Sequence, residues 1–164
     1  MTNYSRLLTI ILALCTISGF AQNTEIVSLR SINSKTYLLP SGDKQATIHG
    51  EPIHFFNGVS WHEIDPSITA TSSTLYNATN VISSVFPRQP NNASSISFTV
   101  DGHLIEMSMQ KEIVKFSNGI TTLSTLNNWS QADYTSDNII YTEINFGVRD
   151  VYQISNGQIK NDLL

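Results

Sequence analysis

Four Asx-Gly pairs, Asn57-Gly58, Asp101-Gly102, Asn118-Gly119 and Asn156-Gly157, stand between runs in which apolar and polar residues alternate. Asn, Asp and Gly tolerate positive φ, which a two-residue type I′ turn requires at both central positions. Such signals confine the chain to antiparallel hairpins, and a two-residue loop at each pair fixes which side chains stand opposite one another. Asp101-Gly102 then puts Ile96, Phe98 and Val100 on one face with Ile105 and Met107, and Ser95, Ser97, Thr99, Glu106 and Ser108 on the other. Asn118-Gly119 turns Val114, Phe116 and Leu123 inward and Lys115 and Thr122 outward, while Asn156-Gly157 groups Tyr152, Ile154, Ile159 and Leu163 and leaves Gln153 and Lys160 to solvent. At Asn57-Gly58 both faces are apolar, Phe56, Val59 and Trp61 on one and Ile53, Phe55 and Ile64 on the other. A hairpin of that kind wants cover on both sides, hence a central place or a long loop over it.

Ile140, Thr142, Ile144 and Phe146 alternate as a further strand. The Ser/Thr/Asn-rich stretch from Thr69 to Asn80 and the stretch from Pro87 to Ser94 read as loops. No window after the first twenty-odd residues has helical periodicity. The expected fold is all-β, with antiparallel hairpins forming a β-sandwich-like or meander domain.

That domain follows an export signal. Arg6 supplies a basic start, Leu7 to Ser18 is almost unbroken apolar sequence, and Gly19 and Ala21 are the small residues of a cleavage site before Gln22. The run is shorter than the roughly 20 apolar residues of a membrane-spanning helix. Residues 1–21 therefore read as a cleaved signal peptide and residues 22–164 as a single β-rich module, with no membrane span. Cys15, the only cysteine, lies in the leader core. Leu14 before it is bulky where a lipoprotein signal has a small residue, so acylation is disfavoured and the mature chain has neither disulfide nor thiol. With Arg6 removed, eight Lys and Arg face thirteen Asp and Glu, a net charge of -5. That balance excludes the basic face a nucleic-acid partner requires. Asp162-Leu163-Leu164 falls inside the last return strand, which reads as the N-terminal piece of a longer secreted protein.

Ser34-Lys35-Thr36-Tyr37, Ser41-Gly42-Asp43, Ala46-Thr47-Ile48, Pro52-Ile53-His54 and Trp61-His62-Glu63-Ile64-Asp65 occur in that order. The series resembles the N-terminal segment of secreted bacterial RHS/YD-repeat and wall-associated surface proteins of the Bacteroidetes type. The stretch from Ala132-Asp133-Tyr134 to Ile159-Lys160-Asn161-Asp162 resembles the segment that follows there, and the two cover about two thirds of the mature chain. The resemblance implies a non-catalytic β-rich module at the start of an exported protein, whose partners are the downstream regions of its own polypeptide.

Chemistry-bearing residues are few. His49, His54 and His62, with Glu51, Glu63 and Asp65 nearby, are the candidate metal ligands, His54 and His62 foremost. Alternation puts those two on opposite faces of the hairpin, so neither a metal nor any other cofactor is expected. Glu51, Glu63 and Asp65 are the acids available to an exported hydrolase, but no G-x-S-x-G motif or glycine-rich phosphate loop accompanies them. Trp129, Tyr134 and Tyr76 are the candidate ligand-binding aromatics. Trp129 lies in the polar Asn127-Asn128-Trp129-Ser130 turn, whereas Trp61 reads as core because Phe56 and Val59 share its face. The expected function is a secreted structural or interaction module of an RHS-like or adhesin-type surface protein, on the cell surface, outside the cell or in the periplasm. A carbohydrate-binding module that takes surface polysaccharide is the alternative, another protein being the other possible partner. An exported hydrolase has least support.

Overall fold

The computed structural model describes residues 22–91 and 93–164, so the stretch read as a signal peptide, residues 1–21, lies outside the described residues. All the sheets in it are antiparallel, and no α-helix occurs among the described residues, only a single 3-10 turn at Val27–Leu29. No helix there is long and apolar enough to cross a membrane. Strands β1 (Thr24–Glu25), β2 (Ser34–Leu38) and β3 (Lys44–Ile48) form a small sheet, and β4 (His54–Phe56) pairs with β5 (Trp61–Glu63) alone. Next, β6 (Thr69–Ala70), β7 (Thr74–Asn77), β8 (Ile82–Pro87), β9 (Ser95–Val100) and β10 (His103–Ser108) run as a five-stranded meander. A two-stranded arm, β11 (Lys111–Ser117) and β12 (Ile120–Leu126), follows. The chain then builds a four-stranded meander from β13 (Asp133–Tyr134), β14 (Asn138–Thr142), β15 (Arg149–Ser155) and β16 (Gln158–Leu163).

The core lies between the two larger sheets. Leu75, Phe86 and Ile96 from β7, β8 and β9 meet Ile139, Tyr141, Tyr152 and Ile154 from β14 and β15, with Met109, Leu126, Trp129 and Ala132 closing the end of the layer. The Phe86 and Tyr152 rings cross edge to face at 5.2 Å, a favoured aromatic geometry. The Tyr141 hydroxyl donates to the Pro87 carbonyl at 2.7 Å, so a phenol buried for its bulk also has its polar tip satisfied. Asn80 ties the sheets at another point, donating to the Ser155 carbonyl at 2.7 Å and accepting from the Gly157 N–H at 2.8 Å. Each fully buried aromatic or aliphatic side chain here stabilises the fold by about 1.5–3 kcal/mol.

Register agrees with the alternation in three hairpins. Val100 pairs with His103, Ser117 with Ile120 and Ser155 with Gln158, so each loop has two residues. Asp101-Gly102 and Asn118-Gly119 have φ of 49° and 78°, and 51° and 76°, the left-handed pairs of a type I′ turn. At the fourth pair Phe56 faces Trp61 rather than Val59, so the loop holds four residues, Asn57 to Ser60. Asn57 stabilises it, its side-chain oxygen accepting from the Val59 and Ser60 N–H groups at 2.9 Å each. A register shift of two leaves every side chain on its original face.

Cover differs from expectation in five places. Val114, Phe116 and Leu123 share a face as expected but are 68, 73 and 60 % exposed, because the arm reaches past both sheets and only its base, Ile113 and Leu126, packs on the core. Ile105 and Met107 also stay exposed, since β10 is an edge strand. Leu163 is likewise exposed on edge strand β16. The β4–β5 hairpin is a separate two-stranded unit rather than a central one, with Phe56 and Val59 exposed. In β14 the buried residues are Ile139 and Tyr141, and Ile144 and Phe146 lie exposed beyond the strand. The stretch from Thr69 to Asn80 is not a loop, for it holds β6 and β7. There Asn77 serves as a core residue because its amide donates to the Asp65 and Ser67 carbonyls at 2.7 and 2.8 Å.

Candidate functional site

The sequence candidates do not converge. Trp129 is 6 % exposed and its indole N–H donates to the Met109 carbonyl at 2.7 Å, which makes it core rather than a ligand platform. In its loop the Ser130 hydroxyl serves the backbone, accepting from the Thr142 N–H at 3.1 Å and donating to the Gln131 carbonyl at 2.9 Å. Fully buried Glu143 accepts from the N–H groups of Asn145 and Phe146 at 2.8 Å each. Tyr134 sits exposed on β13 with the Arg88 guanidinium 5.9 Å from its ring centroid, a cation–π distance. Tyr76 is half-buried on β7.

The histidines divide as alternation predicts. His54 is fully buried, with Nδ1 2.7 Å from the Ser31 carbonyl oxygen. Exposed His62 points to the other face, its Nε2 2.8 Å from Asn57 Nδ2 and 3.0 Å from Ser60 Oγ. No group of three or more metal-ligating side chains occurs among the described residues. Of the acids, Glu63 forms ion pairs with Lys35 and Arg30, and Lys35, by hydrogen bond and then by charge, holds its carboxyl below the usual range. Asp65 lies beyond the strand and accepts from the Ser67 N–H at 2.9 Å. Exposed Glu51 lies ahead of β4.

A different set of residues does converge. Phe55, Phe56 and Trp61 line an open groove of about 670 Å³, within the usual size range of ligand pockets. The rest of the lining includes the apolar Ile32, Ala78 and Val81 and the polar Ser83, Thr99 and Asp101. Phe56 is 53 % exposed and Trp61 half-buried, with ring centroids 5.4 Å apart and planes inclined at 56°. The lining is therefore mostly aromatic and aliphatic, with Ser83, Thr99 and Asp101 as polar residues within it. Sequence reasoning gave Trp61 to the core because two apolar neighbours share its face. The usable signal was the turn itself: large aromatics on both strands of a short hairpin next to an Asn-Gly loop have little chain available to cover them.

No family model, curated protein or solved structure matches this chain.

Proposed function

We propose that the chain is a secreted, non-catalytic interaction module, of the kind that stands at the start of RHS-like or adhesin-type surface proteins, and that its groove holds carbohydrate. The observation that carries this reading is the partly exposed Phe56–Trp61 pair in a groove whose lining also holds Ser83, Thr99 and Asp101. A sugar ring has C–H faces that rest on aromatic planes and a rim of hydroxyls that exchange hydrogen bonds, so it needs both surfaces side by side. Ser83, Thr99 and Asp101 supply the second. The export leader and the weakly charged, Ser/Thr/Asn-rich mature chain agree with a partner met outside the cytoplasm. Glu63 and Asp65, the acids a hydrolase would use, are engaged with Lys35 and Ser67, which weighs against catalysis.

Retention on immobilised polysaccharides tests the proposal, with cellulose, xylan, chitin, mannan and peptidoglycan as probes. At least one should retain the protein, and Trp61→Ala should weaken that binding about tenfold or more, equivalent to ~1.4 kcal/mol. Equal retention of Trp61→Ala, or none on any probe, would remove carbohydrate as the ligand.

A further inference from the structure

Asp150 belongs neither to the groove nor to a turn. It is fully buried on the inward face of β15. Its Oδ2 lies 2.6 Å from Lys111 Nζ and accepts from the Tyr152 hydroxyl at 2.9 Å. Oδ1 accepts from Asn161 Nδ2 at 2.7 Å. An amine from the first residue of β11 and a carboxamide from β16 thus meet on one carboxylate. Burial, with Asp150 beside them, pushes the Tyr141 and Tyr152 phenols well above their ordinary range, so the aromatic surroundings stay neutral.

We propose that Lys111 and Asn161 join in an intramolecular isopeptide bond, with Asp150 moving the protons. A buried ion pair bears a desolvation cost on both charges. Passing a proton from Nζ to Oδ2 leaves a neutral acid and a neutral, nucleophilic amine. The Nζ lone pair attacks Asn161 Cγ, forming Nζ–Cγ and then breaking Cγ–Nδ2. Of the two protons that Nζ gives up, one passes through Asp150 to Nδ2, which leaves as ammonia. The other stays on Asp150 as a neutral acid beside the new secondary amide, so charge and atoms balance with no oxidant. Lys111 has a long rotatable stem and Asn161 stands at the solvent edge, which lets the two turn toward each other and gives ammonia a way out.

The chain has a use for such a bond. Its single cysteine is Cys15, so beyond the leader no disulfide can close a loop. The arm packs only by its base, and the new amide would fix the first residue of β11 to edge strand β16.

Denaturing mass spectrometry and peptide mapping of the purified full-length product decide the matter. The expected result is a branched peptide joining Lys111 to Asn161, lighter by one ammonia than its linear parts and refractory to trypsin at Lys111. The branched peptide is the criterion because a free N-terminal Gln22 would lose ammonia by cyclisation. Asp150→Ala should give linear peptides only. Since that variant can fail to fold, Asn161→Ala, at the rim, is the second test and should be folded, unbranched and lower melting. Linear Lys111 and Asn161 peptides from folded wild-type protein would overturn the proposal. So would a branch to Asp150 with loss of water, or a branch that persists in Asp150→Ala.

Discussion

The two tryptophans exchange the roles their surroundings in sequence suggest. Trp129 sits among Asn and Ser yet fills the core, because its N–H finds the Met109 carbonyl and its ring closes the end of the sandwich. Trp61 shares its face with Phe56 and Val59 yet opens into the groove. Polarity of the neighbouring sequence reports what a turn needs for its backbone, not where the tryptophan goes. Trp129→Ala should therefore lower unfolding free energy by about 3–5 kcal/mol, the cost of an emptied aromatic core site, measurable by urea titration. Trp61→Ala should change it by less than about 1 kcal/mol, since part of that ring already faces water. A pH dependence follows from Glu25, whose carboxyl is held below its ordinary value of 4.5 first by the hydrogen bond from Arg30 and, after desolvation opposing it, by that residue's charge. A carboxylate with a depressed folded pKa contributes stability above its unfolded pKa and loses it as pH falls through the folded one. Wild type should accordingly melt above Glu25→Gln at pH 7, and the gap should close as the pH is taken below the usual carboxylate range.

At the scale of elements, alternation and turn chemistry determine faces well and cover poorly. The faces of the four Asx-Gly hairpins were legible, even at Asn57-Gly58, because the four-residue loop moved the register by two. Cover was not legible, since it depends on which sheet lies opposite. The faces of β10 and of the arm have the same apolar alternation as β9, but no sheet extends over them. Strands β6 and β7 escaped notice because Ser, Thr and Asn predominate there, and only Asn77's two amide hydrogen bonds show why a polar residue suits the core. Two outcomes are expected. Gly102→Ala should cost about 1–2 kcal/mol, because φ there is 78° and an added Cβ makes left-handed backbone unfavourable. Phe116→Ser, on the exposed face of the arm, should leave the urea midpoint unchanged while reducing light scattering at high concentration.

For the whole molecule, the all-β antiparallel architecture was readable from four turns and their flanking runs, and the candidate site was not. The site is long-range: its aromatic residues come from the β4–β5 hairpin and its polar ones from strands and turns of the five-stranded sheet, joined by packing that no local pattern encodes. The first sheet and the hairpin place no hydrophobic side chain in the core, so most of the stability should reside in the sandwich that starts at Leu75. The groove is then a junction between a stable body and a lightly held N-terminal part, which suits a surface that must accept a ligand. The most direct measurement is a pair of indole N–H resonances, one from each tryptophan, followed by two-dimensional NMR during titration with soluble oligosaccharides of a retained polysaccharide. The Trp61 resonance should shift progressively to saturation, while that of Trp129, held on the Met109 carbonyl, stays in place. A titration that moves Trp129 alone, or neither resonance while binding is detected by calorimetry, would contradict the groove as the site.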